Sequence, residues 1–97
     1  MSASATRGSK GIAATLTLLT RAYCHLCEDM RLALQPVAAR FGARIEEIDV
    51  DSDPVLEAAY GAKVPVLLLG DFPDGRELCH YHLDKKRVEA ALTQATG

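Results

Sequence analysis

The chain has 97 residues, which is enough for one domain built around a single modest hydrophobic core. Hydrophobic residues make up 48% of it and charged residues 25%, an ordinary composition for a soluble globular protein. The formal net charge of -2 excludes a broad electrostatic attraction to nucleic acid or to an anionic membrane, so we expect neither as a partner.

Residues 1–10 are small and polar, and we expect them to form a disordered tail before a folded domain over residues 11–97. The apolar run over residues 12–19 follows two basic residues, as in a secretory signal. However, Thr15 and Thr17 interrupt the run and no cleavage site follows it. No stretch reaches the ~20 apolar residues that a membrane span needs. We therefore interpret the run as a buried strand and expect a cytoplasmic protein.

The first half of the domain predicts two strands that alternate with two helices. Residues 13–20 form the first strand, and a helix begins at Cys24 or His25 and ends at Gly42. Residues 44–50 form the second strand, and a proline-started helix follows over residues 54–60.

The second half predicts a hairpin and a last helix. Residues 64–69 are continuously apolar, which is typical of a central strand. Residues 70–75 reverse the chain, residues 76–82 return as an antiparallel strand, and Asp84 caps the last helix. The order is β-α-β-α-β-β-α, so the predicted fold class is α/β, with helices flanking a four-stranded mixed sheet.

The motif Cys24-His25-Leu26-Cys27 stands where the first strand gives way to the first helix. Unpaired N–H groups and the positive end of the helix dipole lie there, so we expect the pKa of Cys24 to fall below the usual ~8.5. Cys27, one turn further on, should be less exposed and act as the resolving thiol in disulfide exchange. Positive charge on Arg21 or His25 would favour the Cys24 thiolate.

Two other interpretations of the cysteines stay open at this point. Zinc could take Cys24 and Cys27 together with Cys79 and one histidine, His80 or His82. Alternatively, the cysteines could be inert packing residues. Three cysteines is an odd number, which disfavours a secreted disulfide framework and favours redox chemistry or metal binding.

By itself, Pro65 predicts only a proline with a trans bond at the start of a strand. Taken with the order of elements and the Cys24–Cys27 motif, however, Lys63-Val64-Pro65 resembles the glutaredoxin-like branch of the thioredoxin superfamily. The resemblance implies a thioredoxin-like fold in which Pro65 is cis and lies against the sulfurs. Val64 would then offer its backbone to an extended substrate.

The resemblance also implies which residues contact the substrate. A basic residue three positions before the first cysteine, here Arg21, would pair with a glutathione carboxylate. We assign substrate binding to the residues around the two motifs, namely Arg21, Tyr23, His25, Lys63, Val64 and Pro65.

Residues 78–82 lack the Gly-Gly pair and the acidic residue by which glutaredoxins hold the γ-glutamyl group. We therefore expect glutathione to be a weak co-substrate.

The predicted function is thiol–disulfide exchange, with Cys24 as nucleophile and Cys27 as resolving thiol, and without a bound cofactor or metal. We expect a monomer that reduces protein or small-molecule disulfides and is itself reduced by a cellular dithiol. The alternatives are a binding module whose cysteines hold zinc or bridge an iron–sulfur cluster between two chains, and a redox-inactive domain that docks a partner.

Overall fold

The computed structural model describes residues 14–71 and 74–96 of the chain. Within this part the elements, in chain order, are β1 (Thr15–Thr20), α1 (His25–Phe41), β2 (Arg44–Asp49), a 3-10 turn (Val50–Ser52), α2 (Pro54–Tyr60), β3 (Val66–Leu69), β4 (Arg76–His80) and α3 (Lys85–Thr96). The predicted disordered tail lies outside the described residues, as do positions 72 and 73 of the predicted reversing loop. The predicted β-α-β-α-β-β-α order is confirmed.

The two strands of the hairpin, β3 and β4, are shorter than predicted because of the backbone at Pro65 and at Tyr81. β3 begins at Val66 instead of position 64, because Pro65 has no N–H to donate to a strand ladder. β4 ends at His80 instead of position 82, because Tyr81 has a φ of 65° and turns the chain out of the sheet. His80 and His82 therefore do not share a strand face.

The sheet is mixed and has the strand order β2-β1-β3-β4. β1 pairs with β2 in parallel and with β3 antiparallel, and β3 pairs antiparallel with β4. In the parallel pair Thr20 lies opposite Asp49, so the residues that follow β1 and β2 emerge side by side at one edge of the sheet. The Cys24–Cys27 motif follows β1 directly and therefore lies at this edge.

Two core clusters are built on the sheet. The larger one joins Leu16 and Leu18 of β1 to apolar residues of α1 and α3, such as Leu34 and Leu92. In the smaller one Leu19 of β1 packs with apolar residues of the 3-10 turn, α2 and β3. Successive residues of a strand point to opposite faces, which places the two clusters on the two faces of the sheet.

Each helix has a recognisable boundary. At the end of α1, Gly42 has a φ of 66°, and two backbone hydrogen bonds close the last turn, Gly42 N–H to Ala39 O and Ala43 N–H to Ala38 O. Asp53 caps α2, and Asp84 accepts a hydrogen bond from the Arg87 N–H at the start of α3. In residues 14–71 and 74–96 no helix has both the length and the apolar character needed to cross a bilayer.

Candidate active site

The sulfur of Cys24 lies at the amino-terminal end of α1. Cys24 is the N-cap residue, and its Sγ accepts a hydrogen bond from the Cys27 N–H at 3.1 Å. Its side chain is partly exposed. The N–H groups of the first helical turn and the positive end of the helix dipole stabilise a negative charge at this position. The local geometry therefore suits a thiolate.

Cys27 lies one turn further along α1 and is only 1% exposed. Its side chain packs in the smaller core cluster with Leu19 and Val64, and the partly buried Cys24 packs against the same cluster. The two cysteines form a disulfide with a Cα–Cα distance of 5.2 Å. Cys27 is thus the less exposed of the pair, as the sequence predicts, and Cys24 is the sulfur that a second molecule reaches first.

The segment before β3 is held by Tyr81 at the end of β4. The Val64–Pro65 peptide bond is cis. The Tyr81 N–H donates to Pro65 O at 2.9 Å, and the Tyr81 hydroxyl donates to Ala62 O at 3.0 Å. Val64 lies in the same cluster as Cys27, so this anchored loop ends beside the disulfide. The sequence analysis did not identify Tyr81.

Arg21 is bound by two carboxylates and does not present a free cation to the cleft. Its Nε and Nη2 atoms donate to the two oxygens of Asp51 at 3.2 and 2.8 Å. Nη2 also donates to Glu57 Oε2 at 3.1 Å, and Nη1 donates to Gly61 O at 3.1 Å. These hydrogen bonds raise the pKa of the Arg21 guanidinium and hold the pKa of Asp51 below its usual value.

The sequence predicts that positive charge on Arg21 favours the Cys24 thiolate; in the structure that charge is paired with Asp51 and Glu57. The sequence analysis missed Asp51 and Glu57. Asp51 could have been found from the parallel pairing of β1 with β2, since residues just past the ends of two paired parallel strands lie side by side.

Two further cations near the site are also paired. Arg31 of α1 donates to Glu47 Oε1 at 2.9 Å and lies 3.5 Å from Glu28 Oε1. Hydrogen bonds from Arg31 hold the pKa of Glu47 below its usual value, with a contribution from the Thr20 hydroxyl.

Lys63, which directly precedes Val64, donates to Glu77 Oε1 at 2.9 Å, and Glu77 also contacts His80. The hydrogen bond from Lys63 is the largest influence holding the pKa of Glu77 below its usual value.

A cleft of about 410 Å³ opens beside the disulfide. Its walls include Cys24, Cys27 and the predicted substrate-binding residues Arg21, Tyr23 and His25. Tyr23 has a φ of 58° and is fully exposed, so its ring stands free at the rim of the cleft. The other predicted substrate-binding residues, 63–65, belong to the loop that Tyr81 anchors.

Cys79 does not join the other two cysteines. It packs against the larger core cluster, whereas Cys24 and Cys27 belong to the smaller one. Burial raises the pKa of the Cys79 thiol. Within residues 14–71 and 74–96 no three His, Cys, Asp or Glu side chains converge as metal ligands, so the zinc set considered from the sequence is not assembled. Cys79 instead lines a separate cleft of about 460 Å³ between β4 and the start of α3.

The chain is similar to known proteins over most of its length. The model of a family described as "Glutaredoxin-like domain (DUF836)" matches residues 15–93. Uncharacterized proteins of Mycobacterium bovis and Mycobacterium tuberculosis are 34% identical to it over 84 residues, which is 81% of this chain and 82% of theirs.

Solved structures share the fold. The solution structure of protein Ne2328 from Nitrosomonas europaea aligns with a TM-score of 0.71 at 33% identity, covering 80% of this chain and 89% of that one. The crystal structure of protein XcR50 from X. campestris aligns with a TM-score of 0.60 at 43% identity, covering 81% and 96%. A thioredoxin mutant from Halobacterium salinarum aligns with a TM-score of 0.63 at 23% identity, covering 92% and 80%, and shows the fold alone.

The similarity in fold agrees with the strand order of the sheet, β2-β1-β3-β4. In this chain the cysteine pair lies at the start of α1. The thioredoxin-like fold and a Cys24–Cys27 pair at disulfide distance support a redox function. The match of the family model to residues 15–93 shows that this chain belongs to the glutaredoxin-like domain family.

Proposed function

We propose that this protein is a thiol–disulfide oxidoreductase that reduces disulfides of proteins or small molecules. The observation that carries the proposal is the asymmetry of the cysteine pair. Cys24 is partly exposed at a helix N-cap and accepts a hydrogen bond from the Cys27 N–H, whereas Cys27 is buried one turn away. An exposed sulfur that favours the thiolate suits a nucleophile, and a buried neighbour suits a resolving thiol.

The reaction has two displacement steps. The Cys24 thiolate attacks one sulfur of the substrate disulfide, the substrate S–S bond breaks, and the departing thiolate takes a proton from solvent. Cys27 then loses its proton and attacks Cys24 Sγ, which breaks the mixed disulfide and releases the second substrate thiol. The substrate gains two electrons and two protons. The protein ends as the Cys24–Cys27 disulfide, and a cellular dithiol returns it to the reduced state.

The loop before β3 has a supporting role in the proposal. Val64 packs in one core cluster with the buried Cys27, and the next residue is anchored through the hydrogen bond from the Tyr81 N–H to Pro65 O. A backbone segment next to a reactive sulfur suits the pairing of an extended substrate by main-chain hydrogen bonds. We assign that role to Val64 and contact with the substrate side chains to Tyr23 and His25.

We further propose that glutathione is only a weak co-substrate. The Arg21 guanidinium uses four hydrogen bonds on Asp51, Glu57 and Gly61 O, which leaves little capacity for a ligand carboxylate. In addition, residues 78–82 contain no glycine, so the Cβ atoms at Cys79 and His80 limit close approach of a ligand to the main chain. We place the reaction in the cytoplasm, with the protein acting as a monomer.

The test uses three cysteine variants of the full chain and a fluorogenic peptide disulfide. Cys24→Ser should lose exchange altogether, because it lacks the attacking sulfur. Cys27→Ser should accumulate a mixed disulfide between Cys24 and the substrate, visible as added mass, because nothing resolves it. Cys79→Ser is the matched control and should retain wild-type turnover, since Cys79 packs in the other core cluster.

A redox titration of the wild-type protein should show one two-electron couple that disappears in Cys24→Ser and in Cys27→Ser. Failure of the reduced wild-type protein to turn over any disulfide would contradict the proposal and favour a domain that docks a partner. Equal turnover in Cys24→Ser and wild type would contradict it as well.

A further inference from the structure

The arginines that line the cleft beside Cys24 are outnumbered by the carboxylates that bind them. Two cations line it, Arg21 and Arg31. Four carboxylates bind these two cations, those of Asp51, Glu57, Glu28 and Glu47. With histidine counted as neutral, the group carries a net charge of -2, from two cations and four carboxylates. The lining of the cleft itself holds these two arginines and one carboxylate, Glu28, while Asp51, Glu57 and Glu47 bind the arginines from outside the lining.

Asp51 and Glu57 account for the acidity on the Arg21 side. Asp51 binds Arg21 in a bidentate manner, through Nε at 3.2 Å and Nη2 at 2.8 Å. Glu57 binds the same Nη2 at 3.1 Å. Both carboxylates are about half exposed, at 47% and 49%, so their charge acts on the solvent next to Arg21. Arg21, Asp51 and Glu57 together carry one net negative charge, and Arg21 lines the same cleft as Cys24.

The contact between Glu57 and Arg21 depends on glycine at position 61. The Gly61 carbonyl accepts the fourth hydrogen bond of Arg21, at 3.1 Å. A Cβ atom at position 61 would lie 2.8 Å from Glu57 Oε2 and 2.6 Å from Glu57 O, which is closer than van der Waals contact allows. Glycine at this position therefore lets Glu57 reach Arg21.

We propose that Asp51 and Glu57 are specificity-determining residues, which make the cleft select disulfides with cationic or neutral flanking groups over disulfides that carry carboxylates. This inference rests on the proposed disulfide exchange. A carboxylate on the substrate that approaches Arg21 is repelled by the two carboxylates already bound to the guanidinium, and it has to displace Asp51 or Glu57 to bind there. An ammonium group on the substrate meets two partly exposed carboxylates instead. The expected order of rates is cationic, then neutral, then anionic.

Elementary electrostatics sets the size of the effect. At separations near 10 Å in water, one unit charge changes an encounter rate about twofold at low ionic strength. Removing two carboxylate charges raises the rate for an anionic substrate about fourfold and lowers the rate for a cationic one about fourfold, so the ratio of the two rates should rise about 16-fold. At 1 M salt the screening length is only about 3 Å, so most of the difference should disappear.

The experiment compares kcat/KM for three small disulfides of similar size: cystamine, which is cationic, bis(2-hydroxyethyl) disulfide, which is neutral, and 3,3′-dithiodipropionate, which is anionic. The test variant is Asp51→Asn/Glu57→Gln. The matched control is Glu46→Gln/Glu89→Gln, which removes two carboxylates that pair with arginines away from the cleft. The ratio of anionic to cationic kcat/KM should rise about 16-fold in the test variant and less than twofold in the control. If the double variant fails to fold, Asp51→Asn against Glu89→Gln gives the same comparison with about half the effect on a logarithmic scale.

A second measurement separates this inference from the proposed function. In a Cys27→Ser/Cys79→Ser background, Cys24 is alkylated with iodoacetate, which is anionic, and with iodoacetamide, which is neutral. Any change in the thiolate fraction cancels in the ratio of the two rate constants, so the ratio reports only the charge around Cys24. It should rise about fourfold on adding Asp51→Asn/Glu57→Gln.

If no disulfide is turned over but the alkylation ratio rises, the proposed function is wrong and the effect of Asp51 and Glu57 on anions that approach Cys24 is confirmed. If disulfides are turned over but neither ratio differs between the test variant and the control, the roles of Asp51 and Glu57 are refuted while the exchange activity stands.

Discussion

At the scale of single residues, Tyr81 fastens the loop that precedes β3. It adopts a φ of 65°, a left-handed conformation that tyrosine rarely takes. In this conformation its N–H reaches Pro65 O and its hydroxyl reaches Ala62 O. The ring also lies edge-on to His80, with the ring centroids 4.7 Å apart. One side chain thus links the end of β4 to the loop beside the cysteine pair.

Replacing Tyr81 with Phe should lower the free energy of unfolding by about 0.5–1.5 kcal/mol, because it removes the hydrogen bond to Ala62 O and keeps the ring. Denaturant unfolding of the oxidised protein measures the change. Tyr23→Phe is the matched control and should leave stability unchanged, because the Tyr23 side chain is fully exposed. An equal loss in both variants would show that the Tyr81 hydroxyl has no particular role.

At the scale of elements, the end of α1 depends on Gly42. Its φ of 66° lies in the left-handed region, where a Cβ atom is unfavourable. This conformation lets the N–H groups of Gly42 and Ala43 satisfy the carbonyls of Ala39 and Ala38, at 3.2 and 2.8 Å. The turn then leads directly into β2, which begins at Arg44.

Gly42→Ala should destabilise the protein by about 1 kcal/mol, since alanine pays the steric cost of the left-handed conformation. Gly42→Asn should cost less, because asparagine tolerates this conformation better than alanine. Thermal unfolding of the three proteins at one pH measures both values. The explanation is wrong if alanine and asparagine are equally harmful, or if alanine has no effect.

A bulge in the hairpin determines which side chains of β4 meet. Leu67 lies opposite Cys79 and Leu68 lies opposite Glu77, so Leu78 is the extra residue. In a regular strand, positions 77 and 80 would point to opposite faces, since side chains alternate. The bulge shifts the alternation by one residue, and Glu77 Oε2 meets His80 Nδ1 at 2.9 Å. Glu77 binds Lys63 as well, which ties β4 to the loop before β3.

At the scale of the whole molecule, ion pairs connect segments that are distant in sequence. Arg31 of α1 binds Glu47 of β2, Arg21 binds the 3-10 turn and α2, and Lys63 binds β4. In each case a hydrogen bond from the cation holds the pKa of a carboxyl below its usual value, namely those of Glu47, Asp51 and Glu77. Because of these ion pairs, we expect the free energy of unfolding to depend on pH in the acid range.

We expect the free energy of unfolding to fall as the pH decreases from about 5 to 2. A carboxyl whose pKa is lower in the folded state stabilises the protein fully above its unfolded-state pKa, about 3.9 for Asp and 4.3 for Glu. That contribution is lost as the pH falls through the lower folded-state value. Urea unfolding of the oxidised protein at a series of pH values measures the slope.

Glu47→Gln should flatten this slope, by up to about 1 kcal/mol between pH 6 and pH 2, because the pair with Arg31 is largely at the surface. Arg31→Gln should flatten it by a similar amount, since either change removes the same pair. A slope unaltered in both variants would show that the Arg31–Glu47 pair does not contribute to acid unfolding.

The sequence by itself determined the order of elements, the helix boundaries and the position of the cysteine pair. These features depend on local signals: apolar runs, the proline at the start of α2, the glycine after α1 and the two-residue spacing within Cys24-His25-Leu26-Cys27. Each of these signals comes from residues that are close together in the chain, so hydrophobic pattern and residue propensity are enough to predict the features. The lesser exposure of Cys27 also followed from its place one turn into a helix.

Only the tertiary structure decided the electrostatics of the site. Arg21 and Asp51 are 30 positions apart, and the parallel register of β1 on β2 brings them together at one edge of the sheet. The left-handed conformation of Tyr81 and the bulge at Leu78 likewise depend on how β4 docks on β3. Ion pairs between distant segments and the register of paired strands arise only when the sheet is packed. No local sequence pattern encodes which strand ends lie next to each other. The arginine that suggested an anion site from the sequence is, for this reason, paired with two carboxylates.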